Sequence, residues 1–154
     1  MFVVLKASSN MRIMKRMSLW SVVAAGVYVS AMVVVSAQAK AATAGVYSEA
    51  QAKRGEAVYK EQCAACHGDN LEGSGPMPPL AGKDFLANWQ GKAVAEVFDK
   101  TQTSMPATAP GSLTPEQTAD VIAYMLSVGK YPAGSADLPG KADDLKLITL
   151  DAPK

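Results

Sequence analysis

The sequence predicts a small all-α domain, three or more helices separated by long loops. Three observations carry that expectation. Apolar residues recur at helical spacing, and no segment alternates apolar and polar in the way a half-buried strand does. Two segments open with the S/T-x-x-Q signature of a capping box. The stretches between them are punctuated by Gly and Pro, with no internal repeat and no low-complexity tract.

Each element follows from local chemistry. Ser48-Glu49-Ala50-Gln51 places Ser48 as the N-cap of a first helix, which runs through Ala57, Val58 and Tyr59 to about Cys63. Residues 70–82 carry Gly73, Gly75, Pro76, Pro78, Pro79 and Gly82 and read as a loop. Residues 85–89 suit a short helical turn. Residues 92–101 put Val94, Val97 and Phe98 on one face of a second helix. Residues 103–111 return to loop, with Pro106, Pro110 and Gly111. Thr114-Pro115-Glu116-Gln117 is the second capping box, with Pro at the first helical position, where its missing N–H is needed least. That helix continues through Val121, Ile122, Tyr124, Met125 and Leu126, with Gly129 just past its end and Pro132 beyond. Residues 132–154 read as an irregular tail, in which the apolar segment 145–150 docks on the body.

The two ends of the chain differ in charge. Lys6, Arg12, Lys15 and Arg16 precede residue 40 with no acidic residue beside them. From Lys40 onward 11 Lys and Arg face 14 Asp and Glu, a net of −3. Phosphate recognition needs the opposite sign, so a nucleic-acid partner is excluded as an expectation. The basic start leads into the uncharged apolar stretch 19–37, followed by Ala37-Gln38-Ala39 and Ala39-Lys40-Ala41, both with small residues where a signal peptidase reads. Residues 1–39 therefore read as a secretory signal peptide cleaved near 39–41, with Met11, Met14 or Met17 as alternative starts. The competing reading is an uncleaved membrane anchor, because the stretch approaches the ~20 residues that span a bilayer. The expected organisation is a leader over 1–39, a linker over 40–47, a domain over 48–131 and the tail over 132–154, in the periplasm or tethered to its membrane.

The chemistry is concentrated in Cys63-Ala64-Ala65-Cys66-His67, the C-x-x-C-H attachment site of a c-type haem. Two thiols add across the haem vinyl groups, and the next residue offers its imidazole to the iron. These are the only two cysteines in the chain and His67 is the only histidine. A structural disulfide would leave His67 and the long loops without a role. A thioredoxin-like pair needs a βαβ context that is missing, and tetrahedral zinc wants four ligands where three are on offer. Long loops in a compact domain ask for an organiser other than backbone pairing. One covalent haem supplies it. Met105, in Thr103-Ser104-Met105-Pro106, is the expected sixth ligand, held in a loop by the proline that follows. Met77 lies only ten residues past His67, towards the proximal side, and Met125 belongs to the apolar stripe of the last helix. His67 and Met105 together would raise the reduction potential relative to two histidines and leave no open position for substrate. A peroxidase or gas sensor needs that open position, so the expected activity is electron transfer, not catalysis.

Over residues 48–131 the sequence resembles a class I cytochrome c, by its early C-x-x-C-H, its Met-Pro loop and its terminal helix. The resemblance implies that the first and last helices cross at a small residue with aromatic neighbours, here Gly55 and Tyr59 against Val121 and Tyr124. It implies a proline carbonyl bonded to the proximal imidazole, with Pro78 the best match and Pro79 the alternative. It also implies a tryptophan donating to a haem propionate, for which Trp89 is the candidate, its alternative being a plain core aromatic. More narrowly, Gly75-Pro76-x-Pro78-Pro79-Leu80-Ala81-Gly82, Phe85-Leu86-x-x-Trp89, the 105–113 stretch and Tyr131-Pro132-Ala133-Gly134 resemble small cytochromes that accompany bacterial quinoprotein alcohol dehydrogenases. That resemblance implies redox-protein partners, with a quinoprotein dehydrogenase as donor and a terminal oxidase or another cytochrome as acceptor.

Overall fold

A computed structural model describes residues 38–153. The expected leader falls almost wholly on residues 1–37 and lies outside the described residues. Helix α1 spans Glu49–Gln62, α2 Ala64–His67, α3 Gly82–Trp89, α4 Val94–Ser104, α5 Pro115–Val128 and α6 Ala142–Leu145. Two short strands, β1 (Lys40–Ala41) and β2 (Ile148–Thr149), pair in parallel. The all-α class holds, with helices tied by loops.

Both capping residues act as N-caps, but only one box closes. Thr114 Oγ1 accepts from Gln117 N at 3.1 Å and Gln117 Oε1 accepts from Thr114 N at 2.9 Å, with Pro115 opening α5. Ser48 Oγ accepts from Gln51 N at 3.0 Å, yet the Gln51 side chain turns away from Ser48. Its Nε2 donates to Leu138 O at 2.9 Å and its Oε1 accepts from Leu138 N at 2.6 Å. Gln51 is only 2% exposed, and a buried amide must satisfy both its ends, which Leu138 does.

The core lies where α1 crosses α5. Gly55 is the pivot: a Cβ there would overlap the carbonyl of Asp120, so only glycine lets the two backbones touch. Four residues on, Tyr59 meets Tyr124 with ring centroids 5.4 Å apart and planes tilted by 52°, an edge-biased pairing suited to aromatic quadrupoles. Arg54 locks the same crossing from outside, with Nε 3.0 Å from Asp120 Oδ2 and Nη2 3.1 Å from Asp120 Oδ1. Helix α4 adds Val94, Ala95, Val97 and Phe98, all buried from its first half, while its second half is polar.

The segments flanking the helices are folded against them. Residues 40–47, expected as a linker, are packed: Ala42, Val46 and Tyr47 are buried, and Tyr47 Oη donates to Tyr131 O at 2.7 Å. The strand pair is the physical reason, since it commits this stretch to β2. The tail is likewise more regular than expected. It contributes α6 and β2 and buries Leu138, Leu145, Ile148 and Leu150, each such side chain contributing about 1.5–3 kcal/mol relative to exposure. Arg54 Nη2 also reaches Asp137 Oδ2 at 2.7 Å, and Asp151 accepts from Thr43 N at 3.0 Å, so both ends of the tail are tied by charge or hydrogen bonds.

Gly129 follows the end of α5 as expected, but the left-handed turn comes one residue later. Gly129 has an ordinary φ of −69°, and the left-handed residue is Lys130, with φ 68°. Lys130 N bonds Ser127 O and Tyr131 N bonds Leu126 O, both at 3.0 Å, the two bonds of a Schellman ending. Tyr131 is buried, so its packing holds Lys130 in a conformation that glycine would adopt more cheaply.

Two outcomes follow from these contacts. Gly55→Ala gains about 1 kcal/mol of helix propensity but forces the helices apart, and a net loss of about 1–3 kcal/mol is expected in urea melts. The Ser48 hydroxyl, then Arg54, hold the Asp137 carboxyl below its usual 3.8. At Asp151 burial pushes the carboxyl up, but the Thr43 hydrogen bonds outweigh it and the value is lowered. Lowered carboxylates contribute stability above their unfolded value and lose it as pH falls through the folded one. Melting temperature is therefore expected to drop as pH falls below about 4, and less steeply in Asp137→Asn.

Candidate functional site

The C-x-x-C-H motif straddles the break between α1 and α2. Helix α1 closes with Cys63 N bonded to Tyr59 O at 2.8 Å, and Cys63 leaves helical geometry at φ −125°. One further turn then forms, with Cys66 N and His67 N both directed at Cys63 O, at 3.1 and 3.0 Å. Residues at i, i+3 and i+4 of a turn share a face, so Cys63, Cys66 and His67 are presented together. Cys66 is exposed, Cys63 half-buried and His67 buried. Both thiols are free of any disulfide. Burial, then the neighbouring Cys66, push the Cys63 thiol up to about 11, which keeps it neutral at ordinary pH.

The turn ends on Gly68, whose φ of 81° suits glycine and whose missing Cβ leaves room for the Glu72 carboxylate. Tyr59 Oη donates to Gly68 O at 2.6 Å, and burial raises the phenol to about 12, so it stays a donor. Gly73 N then bonds His67 O at 2.8 Å, and Leu80 N bonds Leu71 O at 2.9 Å. These bonds fold loop 68–81 back over the imidazole. They bring Pro78 O to 2.9 Å from His67 Nδ1. A carbonyl can only accept, so Nδ1 carries the proton and the lone pair is left on Nε2, the atom free to meet a metal. Of Pro78 and Pro79, Pro78 makes this bond.

Met105 caps the C-terminus of α4, with its N bonded to Thr101 O at 3.0 Å and its side chain partly buried ahead of a buried Pro106. The loop after it is bracketed by Gln102, which donates to Leu113 O at 2.6 Å and accepts from Thr118 Oγ1 at 2.8 Å. Met77 stands 39% exposed in a tight Ser74–Met77 turn, and Met125 is buried in α5. Trp89 is half-buried, stacked on Phe85 with centroids 6.2 Å apart, and the Lys92 ammonium lies 4.9 Å from its ring centroid. Sequence reasoning did not identify Tyr59 as the clasp on Gly68, Leu71 at φ 62°, or Gln102 as a bracket. Each acts through a contact across a loop, and residue identity alone carries no signal for it.

The donor set fits a covalent haem. Two free thiols and one imidazole with its Nε2 available share a helical turn, and Leu80, Leu86 and Trp89 are half-buried apolar side chains packed against the core. Among the described residues, no group of three or more His, Cys, Asp and Glu side chains is placed to hold a bare metal ion.

Residues 50–125 match the family described as cytochrome C oxidase, cbb3-type, subunit III. The chain is 36% identical over 76 residues to cytochrome c6 of Diacronema lutheri, covering 47% of this chain and 90% of that one. It is 40% identical over 83 residues to a thiosulfate dehydrogenase of Stutzerimonas stutzeri (strain A1501), 48% of this chain and 26% of the relative. The chain thus spans about a quarter of that dehydrogenase's length. Among solved structures, the sulfane dehydrogenase SoxCD of Paracoccus pantotrophus superposes with a TM-score of 0.52 at 24% identity, over 64% of this chain and 52% of that one, a likeness of fold. The chain belongs to the cytochrome c family. It is a c-type cytochrome; members of that family carry covalent haem c on a C-x-x-C-H motif, which this chain has at Cys63, Cys66 and His67.

Tyr59→Phe would strip the Gly68 carbonyl of its donor. A loss of about 1–3 kcal/mol in unfolding free energy is expected from denaturant melts of the haem-loaded protein, the cost of one partly buried acceptor left unsatisfied.

Proposed function

We propose that the chain is an exported electron carrier whose iron is held between His67 and Met105. The observation that carries this reading is the His67 Nδ1–Pro78 O bond, which leaves Nε2 as the only available imidazole nitrogen in the chain. When bound, the haem supplies one-electron exchange at its iron. The protein's part is to hold and shield. Pro78 fixes the imidazole plane and its proton, and Tyr59 closes the turn behind it. Met105, at the end of α4 and ahead of Pro106, would offer its thioether as the second protein ligand to the iron, which would keep external ligands out. Trp89, with a lysine ammonium over its ring, suits the carboxylate-bearing edge of the haem as a propionate donor.

In this reading residues 48–131 are the haem-bearing domain. Residues 1–39 are the export leader, cleaved near 39–41 to leave a periplasmic protein, or retained as a membrane tether. Among the described residues no helix is long and apolar enough to cross a membrane. The donor is a redox protein, a quinoprotein dehydrogenase by the sequence motifs, and the acceptor a terminal oxidase or another cytochrome. The 40% identity to part of a thiosulfate dehydrogenase favours a second donor class, a sulfur-compound dehydrogenase that this domain would serve as electron acceptor.

Reduction rates measured with a purified quinoprotein dehydrogenase and with a thiosulfate-oxidising enzyme from the same source separate the two donors. Failure with both removes both. Met105→Ala is expected to lower the midpoint potential and open the reduced iron to CO, while Met77→Ala leaves both nearly unchanged. CO binding to Met77→Ala alone would reverse the ligand assignment.

A further inference from the structure

Residues 147–151 lie beyond the stretch that matches the family, which ends at 125, yet they join three parts of the chain. On one edge β2 pairs with β1, Lys40 opposite Ile148 and Ala41 opposite Thr149, and Lys40 N donates to Leu147 O at 2.7 Å. On the other edge Gly91 N donates to Leu150 O at 2.7 Å and Leu150 N donates to Lys92 O at 2.9 Å. Ala93 and Thr149 form an antiparallel bridge beside them. Residues 147–151 therefore lie between two backbone partners, β1 on one side and residues 91–93 on the other. It is anchored by side chains as well. Ile148 and Leu150 are buried, Leu145 of α6 belongs to the core with Val94, Val97 and Phe98, and Tyr131 Oη donates to Asp151 O at 2.6 Å.

What this segment grips is the junction between Trp89 and α4. Gly91 turns the chain at φ 82°, and Val94, fully buried, starts the helix. Helix α4 is 11 residues long, roughly 16 Å at 1.5 Å per residue, and its C-cap is Met105. A hydrogen-bonded helix of that length is stiff, so the place where Ala93 is held sets the place where Met105 arrives. Gln102 steadies only the far end, through Leu113 and Thr118.

We propose that residues 147–151 are a positioning element for the distal thioether. They clamp the start of the helix that carries Met105, and they hold Trp89 through the same junction. The inference rests on the reading of Met105 as the iron ligand. Leu150 is the central positioning residue, since it makes both backbone bonds and is only 1% exposed.

The test uses the haem-loaded full-length protein, Leu150→Ala, Leu150→Ile, Met105→Ala and a chain ending at Gly140. Imidazole binding to the oxidised iron and the midpoint potential are the readouts. Apparent imidazole affinity scales with the fraction of molecules whose thioether is off the iron. Leu150→Ala and the shortened chain are expected to bind imidazole about tenfold tighter and to show a lower potential. Leu150→Ile is expected to restore both. Ala57→Gly, which lowers stability on the exposed face of α1, is expected to change neither, and a shift there as large as in Leu150→Ala would overturn the inference. Wild-type affinity and potential in a folded Leu150→Ala protein would also overturn it, even if the shortened chain does not fold. If Met105→Ala tightens imidazole binding while the tail variants do not, positioning fails alone. If Met105→Ala changes nothing, the ligand reading fails and takes this inference with it.

Discussion

The backbone contact between Gly55 and Asp120 governs where everything else can sit. Because residue 55 lacks a side chain, α1 comes against the carbonyl of Asp120, and the axes of α1 and α5 settle at that spacing. The Tyr59–Tyr124 pair and the Arg54–Asp120 fork both depend on it, since each spans the same crossing within one turn of the pivot. Tyr59 then reaches on to Gly68 and closes the turn that presents the two thiols and the imidazole. Haem attachment and helix packing are thus parts of one arrangement. A methyl group at residue 55 would be felt at His67 through Tyr59.

Local chemistry was legible in the residues, and long-range chemistry was not. Thr114, Pro115 and Gln117 close a helix end with atoms three residues apart, so their pattern can be read directly. Cys63, Cys66 and His67 are set by a single turn in the same way. Ser48 and Gln51 show the limit. The spacing was right for a reciprocal box, but Gln51 found Leu138, 87 residues away, and a buried amide follows the partner that satisfies both its ends. Residues 40–47 read as a linker because nothing in these eight residues announces a strand partner at 148. Lys130 in place of glycine hid the true turn at the end of α5, and the packing of Tyr131 is what compensates for it.

Of the six residues singled out for the haem, the structure joins His67 to Pro78 directly and sets Cys63 and Cys66 on the same turn. Met105 and Trp89 belong to a second group, at the two ends of the stretch formed by the 90–93 junction and α4. The division has a physical origin. The proximal group is built within the 16 residues from Cys63 to Pro78 and draws its outside support from nearby Tyr59. The distal group depends on a helix whose beginning is held by the tail and whose end is held by Gln102. The first group is therefore set by local sequence, and the second by contacts distant in the chain.

The parallel pairing of Lys40–Ala41 with Ile148–Thr149 has a consequence for the order of events in biosynthesis. A ribosome emits residues 147–151 after the 40–41 and 91–93 segments they join, so this closure waits for them. The thiols at 63 and 66 emerge more than eighty residues earlier. Joining across so long a loop is also entropically slow. The nascent chain accordingly passes through a stage in which both cysteines are made while the 40–41 and 148–149 segments are still unpaired.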